Sequence, residues 1–166
     1  ANLEENRELM HQKREEFAAY DYFLQCMHSH GISSDIVKKR LPVINAEITK
    51  VLSNVVDFEV YLETDGRKLD VFIKHPKFDL RPIELGSGAE KTLAAIAIRL
   101  ALLSVSTLPR GDVFILDEPG TALDENNMEG FSRIVDLIKT QFNKVILISH
   151  LDSLKDAADM TIDIDK

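Results

Sequence analysis

Two adjacent carboxylates, Asp117 and Glu118, follow the apolar run Val113, Phe114, Ile115 and Leu116 and precede Pro119. A buried parallel strand delivers its last residues to the carboxyl edge of a sheet, where α/β proteins place their ligands. An acid pair at that edge suits phosphoryl chemistry. Asp117 would hold Mg2+, directly or through water, and Glu118 would orient and deprotonate an attacking water. A single acid at a strand's exit into solvent is commonplace; an Asp-Glu-Pro set after so apolar a strand is less so. A second apolar run, residues 145–148, leads into Ser149 and His150. Parallel strands end on one edge, so His150 is expected near Glu118 and within reach of a phosphate or the attacking water.

Two further motifs stand at expected helix starts. Leu85, Gly86, Ser87, Gly88, Ala89 and Glu90 open a helix, with Ser87 and Glu90 spaced as a capping box. That spacing alone makes a good helix start. The same geometry of free N–H groups, a hydroxyl and a glycine also forms a surface for phosphate. Thr121, Ala122, Leu123 and Asp124 precede another helix, where Asp124 suits an N-cap.

The elements that must position these residues are legible in outline. From Ser87 onward the sequence alternates amphipathic helices with short apolar runs, the pattern of buried parallel strands in an α/β layer. A helix is expected from Ser87 to about residue 106, a strand at 113–116, a helix over 125–142 and a strand at 145–148. A short helix near 152–158 and a last strand near 160–164 complete the series. Upstream, Phe58, Val60 and Leu62 alternate, as do Leu69, Val71 and Ile73, with Asp65 and Gly66 as the turn signal of a hairpin between them. A helix is expected over 35–53, capped by Ser33 or Ser34 and kinked or interrupted at Pro42. Residues 2–30 read as a helix in which Leu3, Met10, Phe17 and Leu24 recur every seven residues, a heptad seam that strengthens toward Met27. Such a seam reads as the end of a longer coiled coil that needs a partner strand. The expected organisation is therefore a coiled-coil arm over 1–30 and a globular lobe over 31–166.

Taken in order, these motifs closely resemble those of the ABC-type ATPase superfamily. Ser87, Gly88, Ala89 and Glu90 are similar to its signature motif, usually S-G-G-E/Q. Residues 114–118 resemble its Walker B strand with the catalytic glutamate, 121–124 its D-loop and His150 its switch histidine. The departure is Ala89, whose methyl replaces the second signature glycine and is expected to crowd the backbone near a γ-phosphate.

An ATPase of this class also needs G-x-x-x-x-G-K-[ST] to cradle the phosphates. None of the seven glycines stands in such a segment; a heptad helix and a hairpin precede the signature instead. That arrangement resembles the SMC-like families, in which a long coiled coil separates the two halves of one head. Residues 31–45 resemble the neck helix of SbcC-type double-strand-break-repair ATPases, and Lys91 and Arg99 match basic positions on their signature helix. Arg99 also reads as a simple partner for a carboxylate at the core's edge. The resemblance implies the carboxyl-terminal lobe of an ABC-type head, an α/β fold of parallel strands and packed helices plus a β-hairpin, with a projecting coiled-coil helix. It implies ATP and Mg2+ as ligands, with Glu118 and His150 catalytic and Asp117 on the metal. Ser87, Gly88, Ala89, Glu90 and Asp124 would bind ATP, and Lys91 and Arg99 would act as switch positions. The implied partners are the amino-terminal half of the same head, a second head forming a homodimer, a metallophosphoesterase-type nuclease subunit, and DNA. Another SMC-like protein, of chromosome-organising or RecN/RecF type, and a non-catalytic coiled-coil module are the alternatives; a transporter domain fits least.

Composition agrees with one ordered lobe. The 166 residues are 45% hydrophobic and 29% charged, with 7 Gly and 5 Pro. No run reaches the roughly 18 apolar residues of a membrane span, and nothing at the start reads as a signal peptide. A single cysteine, Cys26, suits a reducing, intracellular setting. The net charge of −8 speaks against a broad DNA-coating surface. Lys38, Lys39 and Arg40 form a local basic patch or a solvated helix face.

Overall fold

A computed structural model describes residues 2–28, 30–66, 68–119, 123 and 125–164. In chain order the elements are α1 (Asn2–Met27), α2 (Ile32–Leu52), β1 (Glu59–Thr64), β2 (Leu69–Lys74), β3 (Arg81–Pro82), a 3-10 turn (Ile83–Leu85), α3 (Gly88–Val105), β4 (Val113–Asp117), α4 (Glu125–Gln141), β5 (Lys144–Ile148) and a second 3-10 turn (Asp152–Ala157). The chain divides into two compact units, residues 1–42 with 64–69, and residues 43–63 with 70–166.

In the first unit α1 buries none of its side chains. Its heptad residues Phe17 and Leu24 are 74% and 65% exposed. A helix with an uncovered apolar seam gains little from packing within its own chain. The hairpin tip is closed by local bonds. Thr64 Oγ1 accepts from the Gly66 N–H at 3.1 Å and donates to the Lys68 carbonyl at 2.7 Å. Gly66 sits at φ +91°, a backbone state that glycine adopts without steric cost. Ser34 donates to the Gly66 carbonyl at 3.2 Å.

Pro42 lies inside α2 and does not interrupt it. Proline removes one helical hydrogen bond, but the residues that follow are tied down by burial: Ile44, Ile48, Val51 and Leu52 are all in the core.

The second unit holds most of the core and, apart from Thr64 and Leu69 at the hairpin tip, both sheets. One sheet has the order β1-β2-β3, with β2 and β3 antiparallel. Phe58, Val60 and Leu62 are buried as their alternation predicts. The companion set is not uniform: Ile73 is fully buried but Leu69, near the hairpin tip, is half exposed. The other sheet pairs β4 with β5 in parallel, running from Val113 opposite Lys144 to Asp117 opposite Ile148. Phe114 and Leu116 face the core, while Val113, Ile115, Ile146 and Ile148 are 45–56% exposed. The strands are thus apolar on both faces, the composition of parallel strands covered on both sides, yet one face is open.

Helix α3 is buried along Leu93, Ala94, Ile96, Ala97, Leu100 and Ala101, and α4 contributes Phe131, Ile134, Val135 and Ile138. Gly130 lets α4 approach closely, since a Cβ there would stand 2.7 Å from the Val55 carbonyl oxygen. The last strand expected near 160–164 is not formed. A strand needs a neighbour for its backbone N–H and C=O groups. Among the described residues this segment has none, and Met160, Ile162 and Ile164 are 74–91% exposed. The expected short helix there is a 3-10 turn. No described helix is long and apolar enough to cross a membrane.

Candidate active site: an acid edge and a capped helix

The acid edge is built by the β4–β5 ladder. Asp117 pairs with Ile148, and the Glu118 N–H donates to the Ile148 carbonyl at 2.8 Å, carrying the ladder one residue past the strand. Glu118 then turns with φ +45°, a left-handed state uncommon outside glycine. Strain of this kind persists where surrounding structure imposes it and clusters at functional sites. His150 follows β5 by two residues, and its Nδ1 lies 2.9 Å from Glu118 Oε2, which is itself shielded from solvent. The proximity that the parallel strands imply is therefore realised. Asp117 is exposed on the open face of the sheet.

The second feature is the amino end of α3. Ser87 is the N-cap, and its Oγ accepts from the Glu90 N–H at 3.2 Å while the Ser87 N–H donates to Glu90 Oε2 at 2.6 Å. Both halves of the capping box are present, as the spacing predicts. The hydroxyl's own proton remains available, and Ser87 and Gly88 are exposed. Among the described residues the Gly88 and Ala89 N–H groups have no partner, which leaves donors at the positive end of the helix.

Ala89 and Glu90 point the other way. Ala89 is 5% exposed, so its methyl is packed in the core and does not crowd the outer surface. Glu90 is 9% exposed and is the one buried charged residue among those described. Its carboxylate accepts from Arg81 Nη2 at 2.8 and 3.0 Å and lies 2.5 Å from His75 Nε2. Burial alone would raise its pKa; the Ser87 amide, His75, Arg81 and the Ser87 side chain together hold it below the usual glutamate value. What Glu90 does here is hold the helix terminus. The sequence reading missed His75 and Arg81. His75 follows β2 and Arg81 begins β3, and no spacing in the sequence ties them to Glu90; the β2–β3 pairing does.

Lys91 and Arg99 on α3 are both exposed. Arg99 has no ion pair among the described residues, so the simple carboxylate partner is not found. Asp124, with Gly120, Thr121 and Ala122, lies outside the described residues. Among the described residues no group of three metal-ligating side chains gathers. That donor chemistry, one exposed carboxylate at a strand end, fits Mg2+, which takes one or two carboxylates and fills its sphere with water and substrate phosphates.

No family model matches the chain. It is 32% identical over 178 residues to an uncharacterised protein of Acanthamoeba polyphaga mimivirus, an alignment covering 98% of this chain and 13% of that one. It is 32% identical over 123 residues to a DNA double-strand break repair Rad50 ATPase of Pyrococcus abyssi, covering 74% of this chain and 14% of that one. The Smc head domain of Pyrococcus furiosus, solved with an extended coiled coil and bound to the C-terminal domain of ScpA, superposes with a TM-score of 0.66 at 20% identity, over 95% of this chain and 39% of that one. The chain belongs to the SMC/Rad50-type ABC ATPases. It corresponds to the carboxyl-terminal half of their head. The structural likeness is one of fold, and it includes a coiled-coil helix. The chain spans only 13–14% of the length of these two relatives.

Proposed function

We propose that this chain is the carboxyl-terminal half of an ATP-driven DNA double-strand-break repair ATPase, active only when joined to the amino-terminal half that carries the phosphate loop. The observation that carries the reading is the Glu118–His150 contact at 2.9 Å on the carboxyl edge of a parallel sheet. In this reading Glu118 orients a water and takes its proton, while His150, in contact with Glu118 through Nδ1, turns Nε2 toward a phosphate. Asp117 would hold Mg2+, which would supply charge neutralisation at the nucleotide's phosphates. Ser87 serves a different nucleotide, bound by a second head, and offers it a hydroxyl proton with the Gly88 and Ala89 N–H groups beside it. Two ATP molecules are thereby sandwiched between two heads, and Asp124 passes information across the dimer interface. Binding clamps the heads and hydrolysis releases them.

The open face of β4 and β5, with Ile115, Ile146 and Ile148 exposed, supports pairing with the amino-terminal half. The uncovered seam of α1 supports a coiled-coil arm over 1–30. The similarity to DNA double-strand break repair Rad50 ATPases supports DNA as the clamped object and an intracellular place of action; the metallophosphoesterase-type nuclease subunit is the partner that the SbcC-type resemblance of the motifs implies. Lys91 and Arg99, exposed on α3, are the switch positions in this reading. The likeness to the Smc head favours a second reading, a chromosome-organising head. Reconstituting the two halves with a nuclease subunit and linear DNA tests the choice. ATP-dependent control of DNA cleavage is expected; ATPase activity indifferent to the nuclease would favour the Smc-type reading.

A further inference from the structure

A capping box needs only a serine and an exposed glutamate; here the glutamate is buried and heavily bonded. Glu90 receives the Ser87 N–H at 2.6 Å, Arg81 Nη2 at 2.8 Å and His75 Nε2 at 2.5 Å. His75 follows β2 and Arg81 begins β3, so both donors come from the three-stranded sheet and neither from α3. Gly86 closes the fourth side. A Cβ there would stand 3.2 Å from Glu90 Oε2, 3.0 Å from the Ile83 carbonyl oxygen and 3.1 Å from Ile73 Cδ1, so the backbone before the signature is packed against the same carboxylate. Phe58 and Phe78 flank the His75 ring with centroids 5.5 and 6.0 Å away, limiting its rotation.

Such an arrangement has a consequence for Ser87. A lone cap glutamate on the surface samples several rotamers, and the serine whose N–H it holds samples them with it. Three donors and a glycine wall remove that freedom. The Ser87 hydroxyl accepts the Glu90 N–H at 3.2 Å, so fixing the box fixes the place of its oxygen and leaves its proton to be donated to a ligand.

We propose that His75 and Arg81 are positioning residues for the signature serine: they clamp Glu90, and through it the three-stranded sheet sets the orientation of the Ser87 hydroxyl that meets ATP across the head dimer. The inference rests on the reading of Ser87 as the residue that contacts a partner's nucleotide. A displacement of β2 or β3 would loosen head pairing without touching the phosphate loop.

The test uses the complete head, with both halves present. Arg81→Met and His75→Leu remove the clamp with little change in volume. Both are expected to leave ATP binding by the single head unchanged and to weaken ATP-dependent head pairing by roughly tenfold or more, the loss of a charge-assisted bond. Glu90→Gln is the second arm. Its amide oxygen still accepts the Ser87 N–H but carries no charge for Arg81 to hold. The double variant Arg81→Met with Glu90→Gln is therefore expected to lose no more pairing than Arg81→Met alone, a coupling that mere unfolding would not produce. Ser87→Arg is the control and should abolish pairing. Loss in Ser87→Arg with unchanged pairing in both clamp variants would overturn the inference alone. Unchanged pairing in Ser87→Arg would remove the reading of the site, and the inference with it. Additive losses in the double variant would also overturn the inference.

Discussion

Truncating Glu90 to alanine should cost this lobe far more than the loss of an ordinary helix cap. The reciprocal cap bond contributes about 1 kcal/mol. Removing the carboxylate also strips Arg81 and His75 of their shared acceptor, and Arg81 Nε is already buried without a partner among the described residues. Breaking a buried charged pair costs roughly 3–5 kcal/mol. The Arg81 side chain is 36% exposed, so water recovers part of that loss. The expected total is about 3 kcal/mol. With a urea dependence of about 2 kcal/mol per molar, the unfolding midpoint should fall by roughly 1.5 M. A loss near 1 kcal/mol, equal to that of a surface cap, would refute the reasoning. The pH dependence provides a second check. The carboxyl is held below its ordinary value of about 4.3. A depressed carboxyl contributes its full stability above the unfolded value and loses it as pH falls through the folded one. The stability gap between the native chain and Glu90→Gln should therefore hold from pH 7 to about 5 and shrink below about 4.

Other outcomes follow from the same geometry. Glu118→Gln in the assembled head should still bind ATP, slow hydrolysis by roughly 10²–10⁴-fold and trap the closed dimer; rapid turnover by that variant would sink the role of Glu118. Gly130→Ala should destabilise the lobe by about 1–3 kcal/mol, because its Cβ meets a backbone oxygen at 2.7 Å; an unchanged thermal midpoint would show that α4 can shift freely. Ile115→Asp should improve the solubility of the chain alone and impair its union with the amino-terminal half, measured by co-purification. Equal recovery of the complex would mean that the open sheet face is not the joint.

Much of this was readable before any coordinates. The Asp117–Glu118 edge and His150 were legible because parallel strands end together, a rule of topology that needs no side-chain detail. The box of Ser87 and Glu90 was legible because helix caps are local. His75 and Arg81 were not, since they reach Glu90 through a sheet register that spacing does not encode. Of the two outcomes open at Pro42, interruption does not occur, because the burial of Ile44 and Ile48 holds the turns that follow. Met160, Ile162 and Ile164 alternate like a strand, but alternation does not supply the neighbour that a strand must pair with. The burial of the Ala89 methyl was likewise a matter of which way α3 faces its core.

The most direct test is ATP turnover by this chain alone and then mixed with the amino-terminal half of its own head. The account predicts no turnover alone and Mg2+-dependent hydrolysis on mixing, lost again in Glu118→Gln. Turnover by the chain alone, or an assembled pair that binds ATP and never hydrolyses it, would contradict the claim that these residues form half of a composite ATPase.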